Sequence, residues 1–242
     1  MLDTVNLPIN EITTETLRNY LSNYKNNSTA GMVTIDNIRR TLSSFFAWLE
    51  NEDYIVKSPV RRIHKVKATK KVKETLTDEN LEKLRDTCSN VRDLAILELL
   101  ISTGMRVGEI TRLNISDMNF QERSCIVLGK GNSEREVYFS AKSKMYIEKY
   151  LETRTDDNKA LFVSLIKPYN RLGISGIEIA IRNLGKEANI NKVHPHKFRR
   201  TMATMAIDKG MPIEQVQKLL GHIKIDTTME YALVNQNNVK NS

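Results

Sequence analysis

The chain of 242 residues has little of what marks several large classes of protein. Its only two cysteines, Cys88 and Cys125, lie in no CxxC or Cys/His cluster, which excludes a disulfide-stapled miniprotein and a structural zinc site. No stretch approaches the roughly 18 consecutive apolar residues of a membrane span, and the N-terminus has no basic segment followed by an apolar run. These absences predict a soluble protein of a reducing, cytoplasmic compartment with no membrane partner.

The composition that is present indicates a folded and basic protein. Hydrophobic residues make up 40% and charged residues 27%, a balance that excludes intrinsic disorder and suits one large or two small domains. Lys and Arg number 37 against 29 Asp and Glu, for a net charge of +8. This excess of basic residues equals the number of basic residues in one stretch without acids, residues 57–73, which we call the basic segment. Its basic residues are Lys57, Arg61, Arg62, Lys65, Lys67, Lys70, Lys71 and Lys73. Such a segment binds a polyanion or is a solvated linker, and charge alone leaves both readings open.

Hydrophobic spacing divides the chain into two domains around this segment. Thr13 can cap a first helix over residues 13–24, and apolar residues at helical spacing predict a second helix from about Ile35 to Leu49. The run "KVKATKKVK" has no cap and little apolar content, which is typical of a linker. The predicted organisation is a domain over residues 1–64, a basic linker over 65–75 and a second domain over 76–242.

The second domain is predicted to be mostly helical. Thr77 can cap a helix in "LTDENLEKLRDTC", and the apolar run "LAILELLISTG" predicts a buried helix that ends at Gly104. Two β-rich runs around a glycine-containing turn in "CIVLGKGNSEREVYF" predict a hairpin, and "ALFVS" predicts a further strand. The segment from "GISGIEIAIRNLGKEA" to the end predicts helices.

Four short segments of the second domain hold its candidate catalytic residues. Pro195 suits a first helical turn, which puts His196 and Arg199 one turn apart on one helix face. A "DTT" helix-start signal places Tyr231 in a short helix that follows His222. The candidates are Arg106, Lys130, His196, Arg199, His222 and Tyr231.

This set of side chains suits metal-free phosphoryl transfer. It has no clustered carboxylates for two metal ions, and the sequence has no Walker-type phosphate loop for a nucleotide. Two arginines can bind a phosphodiester as its transition state forms, and a lysine at a hairpin tip can protonate the leaving oxygen. A tyrosine hydroxyl becomes a nucleophile when positive charge and a base favour its phenolate. The set predicts a reaction through a phosphotyrosine without a cofactor or a metal.

The same residues carry a resemblance to the tyrosine recombinase, or phage integrase, family over nearly the whole chain. The strings "TGMRVGEI" and "LGKGNSEREV" resemble the family's segments for its first catalytic arginine and its hairpin lysine. The strings "HPHKFRRTMAT" and "LLGHIKIDTTMEYA" resemble its His-x-x-Arg box and its closing box with the nucleophilic tyrosine. The resemblance implies a mainly α (α+β) fold, with a helical core-binding domain and a mostly helical catalytic domain that contains a small antiparallel β-sheet.

The resemblance also implies how the reaction proceeds. Tyr231 would attack a scissile phosphate of double-stranded DNA, leaving a 3′-phosphotyrosyl bond and a free 5′-hydroxyl. Arg106 and Arg199 would bind the non-bridging oxygens, and His222 would add a hydrogen bond. A 5′-hydroxyl from a second duplex would reverse the step, so neither ATP nor a metal ion is needed.

Further roles follow from the same resemblance. Lys130 would protonate the departing 5′-oxygen, His196 would assist as a base, and Glu109 would orient Arg106 or support the buried helix. The linker would follow the phosphate backbone of the DNA, and this contact would explain the positive charge of the basic segment. The predicted DNA-binding residues are Arg39, Arg40, Arg61, Arg62, Lys65, Lys67, Lys70 and Lys71.

The predicted function is site-specific recombination by the integrase of a mobile element. The alternatives are a housekeeping chromosome-dimer resolvase, a type IB topoisomerase-like relaxase and a non-catalytic DNA-binding relative. We expect a homotetramer on paired DNA sites, with a monomer allowed without DNA, an accessory directionality factor and a location at the nucleoid.

The sequence departs from the family pattern in two places, and each departure leads to an expectation. Arg200 stands where a histidine is common, so activation of Tyr231 should differ, and an early core-binding helix is missing, as in a truncated or short domain.

Overall fold

The chain folds into two compact units, Met1–Lys71 and Val72–Ser242. The computed structural model describes residues 5–66, 74–129, 134–222, 224–229 and 231. Both units are mainly helical, and the described strands form a small antiparallel sheet, so the predicted fold class is confirmed. Within the described residues, no helix combines the length and the apolar character needed to cross a membrane.

The first unit is built on two helices, α1 (Thr14–Asn26) and α2 (Met32–Asn51). The Thr13 side chain accepts a hydrogen bond from the backbone N–H of Thr16, so α1 begins where its cap was predicted. The second helix is longer at both ends than the predicted Ile35 to Leu49, because the residues that flank its apolar stripe also tolerate a helix. The buried core of this unit contains Leu17, Leu21, Ile35, Leu42, Phe46 and Leu49.

Seven labelled helices lie in the described part of the second unit. They are α3 (Asp78–Thr87), α4 (Val91–Thr103), α5 (Val107–Ile110), α6 (Ala141–Glu152), α7 (Ile174–Glu187), α8 (Pro195–Asp208) and α9 (Ile213–Leu220). Residues 226–229 and Tyr231 are also helical. Thr77 caps α3 by accepting from the Asn80 N–H at 3.2 Å, and α4 ends at Gly104 in the left-handed conformation, as both sequence signals predicted.

The sheet of the second unit has the strand order β1 (Met118–Asn119), β2 (Ser124–Leu128) and β3 (Glu134–Tyr138), all antiparallel. The predicted hairpin is therefore confirmed. The strand predicted in "ALFVS" is wrong, since residues 160–164 make only isolated bridges, between Asn114 and Ala160 and between Val163 and Arg171. This apolar run is buried as a loop of the core, because burial alone does not supply a partner strand.

The packing of the second unit brings two helix C-termini to one place. Helix α8 packs against α4, and α9 packs against α8. At Gly104 the backbone has a φ of +57°, and a Cβ at this position would collide with the Met202 side chain of α8. A glycine at the end of α4 therefore permits the close approach that directs Arg199 toward both helix ends.

Candidate active site

Arg199 is an almost fully buried arginine on α8, with 3% of its surface exposed. Its Nη1 donates to the Gly104 carbonyl oxygen at 2.7 Å, and its Nη2 donates to the Leu220 carbonyl oxygen at 2.5 Å. These carbonyls lie at the C-termini of α4 and α9, where helices carry unsatisfied acceptors and a partial negative charge. The guanidinium is thus fixed in two directions, and no carboxylate of the described residues is its partner.

Arg106 lies immediately before α5 and is the more exposed of the two predicted catalytic arginines. Its Nη2 donates to the Gly221 carbonyl oxygen at 3.3 Å, and its Nη1 donates to Glu109 Oε1 at 3.0 Å. The backbone N–H of Arg106 donates to the other Glu109 oxygen at 2.8 Å. About a third of the side chain, 34%, is exposed, so this guanidinium is oriented and still open to a ligand.

Glu109 is a buried carboxylate that joins Arg106 to a third arginine, Arg135 on β3. Both Arg135 Nη atoms donate to the Glu109 oxygens at 2.8 Å, and Arg135 Nε donates to the Leu219 carbonyl oxygen at 3.3 Å. Burial raises the pKa of Glu109, but the Arg135 hydrogen bonds and the Arg106 N–H outweigh it and leave the pKa below its ordinary value. Glu109 is therefore an anion at neutral pH. Of the two roles that the family resemblance implied for it, its contact with Arg106 fits the orienting role.

Three consecutive backbone oxygens hold the three guanidiniums. These carbonyl oxygens of Leu219, Leu220 and Gly221, here called the carbonyl triplet, bind Arg135, Arg199 and Arg106 in that order. Gly221 ends α9 with a φ of +63°, and a Cβ there would lie 3.0 Å from Arg135 Cδ. The "LGH" glycine thus serves both the turn and the close packing of an arginine.

The Arg199 guanidinium is buried and lies near a second positive charge. Burial, followed by the charge of Arg106, lowers the Arg199 pKa to about 10. The group is still protonated at neutral pH. Among the described residues, Glu109 is the carboxylate that hydrogen-bonds to Arg106 and Arg135. Its single negative charge does not balance the charges of Arg106, Arg135 and Arg199, so the region stays positive and can bind an anionic ligand.

His222 and Tyr231 lie side by side at the end of the carbonyl triplet. Their ring centroids are 5.9 Å apart with an interplanar angle of 32°. His222 Nδ1 lies 2.8 Å from the hydroxyl oxygen of Thr228, which is fully buried. Desolvation, then the charges of Arg199, Arg106 and Arg135, lower the pKa of His222 to about 4, so the imidazole is neutral at physiological pH.

His196 lies in the first turn of α8, three residues before Arg199, and its side chain is exposed. Desolvation, followed by the charges of Arg199 and Arg106, lowers its pKa, which keeps the ring neutral and able to accept a proton. Arg200 donates from Nη2 to the Glu74 carbonyl oxygen at 3.1 Å, and its buried Nε has no partner among the described residues. This arginine takes the place of the histidine common in the resembled family.

The other predicted site residues fall into two groups. Lys130, Lys67, Lys70 and Lys71 lie outside the described residues. Of the described predicted DNA-binding residues, all but Arg39 are exposed. The side chains of Arg39, Arg40 and Arg61 form ion pairs with acids of their own unit. The structure thus brings together Arg106, Arg199, His222 and Tyr231, with His196 within the field of the arginines.

Sequence reasoning missed two contributors to this site, Arg135 and Thr228. Arg135 shares its strand face with the buried Val137, and an arginine on the inward face of a strand signals a buried acceptor. Thr228 lies three residues before Tyr231 and on the same helix face, a spacing that could have connected it to the site. The carbonyl triplet has no signal in side-chain patterns.

Comparison with known proteins gives concordant matches. A model of the phage integrase family matches residues 74–238. The tyrosine recombinase XerC of Staphylococcus aureus (strain USA300) is 32% identical over 248 aligned residues, which cover 99% of this chain and 83% of the relative. The XerA recombinase structure is 28% identical, has a TM-score of 0.61 and is matched over 95% of this chain and 81% of its own.

A second solved structure shows a similar fold at lower identity. The XerH site-specific recombinase, solved with a palindromic difH substrate, has a TM-score of 0.80 at 21% identity. The match covers 96% of this chain and 72% of the XerH chain. At this identity the likeness extends to the fold alone.

Proposed function

Since this chain belongs to the phage integrase family and is a tyrosine recombinase, we propose that it cuts and rejoins specific DNA sites through a covalent bond to Tyr231. One observation carries the proposal. Arg106 and Arg199 are held by adjacent carbonyls of the carbonyl triplet, next to the rings of His222 and Tyr231. Two fixed guanidiniums beside a phenol form a site for one phosphodiester.

In the cleavage step, the Tyr231 hydroxyl oxygen attacks the scissile phosphorus and the bond from phosphorus to the 5′-oxygen breaks. A 3′-phosphotyrosine and a 5′-hydroxyl result. Arg106 and Arg199 bind the non-bridging oxygens as negative charge develops, and His222 donates a hydrogen bond to one of them. Attack by a 5′-hydroxyl of another strand reverses these bond changes, so the energy of the phosphoester is conserved.

Two proton transfers complete the step. His196, kept neutral by its surroundings, accepts the proton of Tyr231. Lys130 supplies a proton to the departing 5′-oxygen, a role that stays a prediction of the family resemblance. With both transfers the site needs no external acid, base or cofactor.

Duplex DNA is the proposed partner of both units. The XerH protein, whose fold this chain shares, was solved with its DNA substrate, and the first unit here exposes Arg62 and Lys65 within the basic segment. We assign the first unit to DNA binding and the basic segment to the phosphate backbone. Assembly as a tetramer on paired sites, a directionality factor and a place at the nucleoid belong to the same proposal.

Origin in a mobile element stays a prediction of the sequence, because the matched proteins bear on the recombinase family and not on the source of this gene. Attachment repeats that flank the gene would support it, and their absence would favour the housekeeping resolvase. The matches give no support to a type IB topoisomerase-like relaxase or to a non-catalytic relative.

The catalytic proposal is tested by trapping the covalent intermediate. Fragmented and nicked DNA from the genome that encodes the chain is labelled and incubated with the protein, so that cleavage beside a nick releases a short strand and cannot reverse. Wild type should give a labelled adduct on a denaturing gel. Tyr231→Phe should give none, whereas Tyr138→Phe, which alters an exposed tyrosine on β3, should behave as wild type. An adduct that survives Tyr231→Phe would refute the proposal.

A further inference from the structure

Thr228 makes a hydrogen bond whose direction decides what His222 can do. Its hydroxyl is fully buried and lies 2.8 Å from Nδ1 of His222. The backbone of His222 is fixed on both sides, since its N–H donates to the Gln217 carbonyl oxygen and its carbonyl oxygen accepts from Gln217 Nε2 at 2.9 Å. The ring therefore keeps its position relative to Thr228.

The number of hydrogens and acceptors selects one direction for this bond. A neutral imidazole has a hydrogen on one nitrogen only, and the threonine hydroxyl has one hydrogen of its own. If Nδ1 carried the ring hydrogen and donated to Thr228, the buried hydroxyl hydrogen would need a second acceptor. Among the described residues, none lies within hydrogen-bond reach of this oxygen apart from His222. The arrangement that satisfies both groups has the hydroxyl donating to an unprotonated Nδ1.

We propose that Thr228 is a positioning residue that holds neutral His222 with its hydrogen on Nε2, ready to donate to a non-bridging oxygen of the scissile phosphate. The inference rests on the proposed function for the identity of that ligand, but the tautomer itself is a property of the free protein. The surrounding arginines support it, because they disfavour a second proton on the ring. Thr228 would then act on the reaction only through His222.

The tautomer can be measured without DNA. In protein labelled with nitrogen-15 at histidine, protonated and unprotonated ring nitrogens have widely separated chemical shifts, and His222→Gln identifies the signals of interest. Wild type and Thr228→Ser should show His222 with an unprotonated Nδ1 and a protonated Nε2. Thr228→Val keeps the shape but removes the donor, so its His222 should show a mixture of tautomers. A wild-type ring protonated at Nδ1 would overturn the inference.

The effect on the reaction is measured as single-turnover cleavage of a nicked duplex. Thr228→Val should slow cleavage about 10- to 100-fold, in the range of changes that misplace a functional imidazole through its neighbour, with DNA affinity unchanged. Thr228→Ser should restore the rate. Thr227→Val, on the neighbouring exposed threonine, is the matched control and should leave the rate as in wild type.

A double variant separates a role through His222 from a general structural role. In a His222→Ala background, Thr228→Val should slow cleavage by no more than about twofold, because the two residues act as one unit. The same 10- to 100-fold loss in both backgrounds would refute the inference, as would an unchanged rate in Thr228→Val alone. If wild type forms no adduct with any DNA, the proposed function fails, while the nitrogen-15 spectra still decide the tautomer.

Discussion

Arg199 of the candidate active site and the arginines of the first unit are held by different kinds of partner. In the first unit, Arg39 and Arg40 share the buried carboxylate of Asp36 at 2.9 and 3.0 Å, and Arg61 pairs with Glu50 at 2.6 Å. In the active site, Arg199 has only carbonyl oxygens as hydrogen-bond partners within the described part of the chain. Both arrangements fix a guanidinium, but only the carboxylates also cancel its charge.

This difference indicates how a buried site can remain strongly positive. A carbonyl at a helix C-terminus carries a partial negative charge, so it orients an arginine while leaving most of the positive charge available. Burial of this charge lowers the pKa of Arg199, and the negative charge of a bound phosphate would raise that pKa again. We infer that the site is organised for an anion before the anion arrives, which favours transition-state stabilisation.

The largest effect is expected from Arg199→Lys. Lysine keeps the charge but cannot span the Gly104 and Leu220 carbonyls or bind two phosphate oxygens at once, so cleavage should slow roughly 10²- to 10³-fold. The measurement is single-turnover adduct formation, with DNA binding followed separately. Arg18→Lys, on an exposed arginine of the first unit that has no assigned role in DNA binding, is the control and should cleave normally. Equal rates for both variants would remove the distinction between the two regions.

Arg135→Met tests whether the shared carboxylate needs its second arginine. The change leaves buried Glu109 with Arg106 as its charged partner and should cost about 3 kcal/mol of unfolding free energy, since it breaks a buried pair. Urea denaturation measures this loss. Arg135→Met with Glu109→Gln should recover part of the stability, and a double variant no more stable than Arg135→Met would contradict the explanation.

A pH titration tests the low pKa of His222, which burial and then the charges of the neighbouring arginines produce. Its pKa is about 4 in the folded protein against an ordinary value of 6.5, so the unfolded chain binds the proton first as the pH falls. Wild type should therefore lose about 2 kcal/mol of stability between pH 6.5 and about 4 relative to His222→Gln, somewhat less than the full shift because the ring is partly solvated. Identical pH profiles for the two proteins would show that burial and the arginines do not lower this pKa.

The smallest effect is expected in the first unit from Asp36→Asn. The amide can still accept the hydrogen bond of the Val66 N–H, but the charges of Arg39 and Arg40 are no longer compensated. If this surface contacts DNA, the logarithm of affinity should fall more steeply with the logarithm of salt concentration, by about one unit of slope. Glu50→Gln, beside the already exposed Arg61, is the milder comparison and should change stability by less than about 1 kcal/mol.

Local patterns predicted the helices well because capping and apolar spacing are local properties. Thr13, Thr77 and Gly104 mark helix ends at the positions where the structure has them. The strand prediction for residues 160–164 was wrong. An apolar segment becomes a strand only when another backbone lies alongside it, and that depends on the tertiary fold. The full length of α2 was missed for a different reason, since the residues beyond its apolar stripe also tolerate a helix.

The active site could be predicted only for side chains that lie in motifs whose order along the chain is recognisable. The family resemblance is confirmed, and it led to Arg106, Arg199, His222 and Tyr231, which the structure places together. The individual roles of these residues stay predictions. The inward strand position of Arg135 was a signal that sequence reasoning missed. The carbonyl triplet could not be inferred, since it becomes part of a site only when the chain has folded and Arg135, Arg199 and Arg106 reach it.

The carbonyl triplet at the end of α9 consists of main-chain oxygens, so any residue at these positions would provide an acceptor. Exchanging Leu219 or Leu220 alters packing but leaves each oxygen acceptor in place. An alanine scan would thus overlook the atoms that orient the arginines, whereas an ester in place of an amide, with its weaker acceptor, would reveal them. For these anchors, the position at which α9 ends therefore matters more than the identity of the side chains at residues 219 and 220.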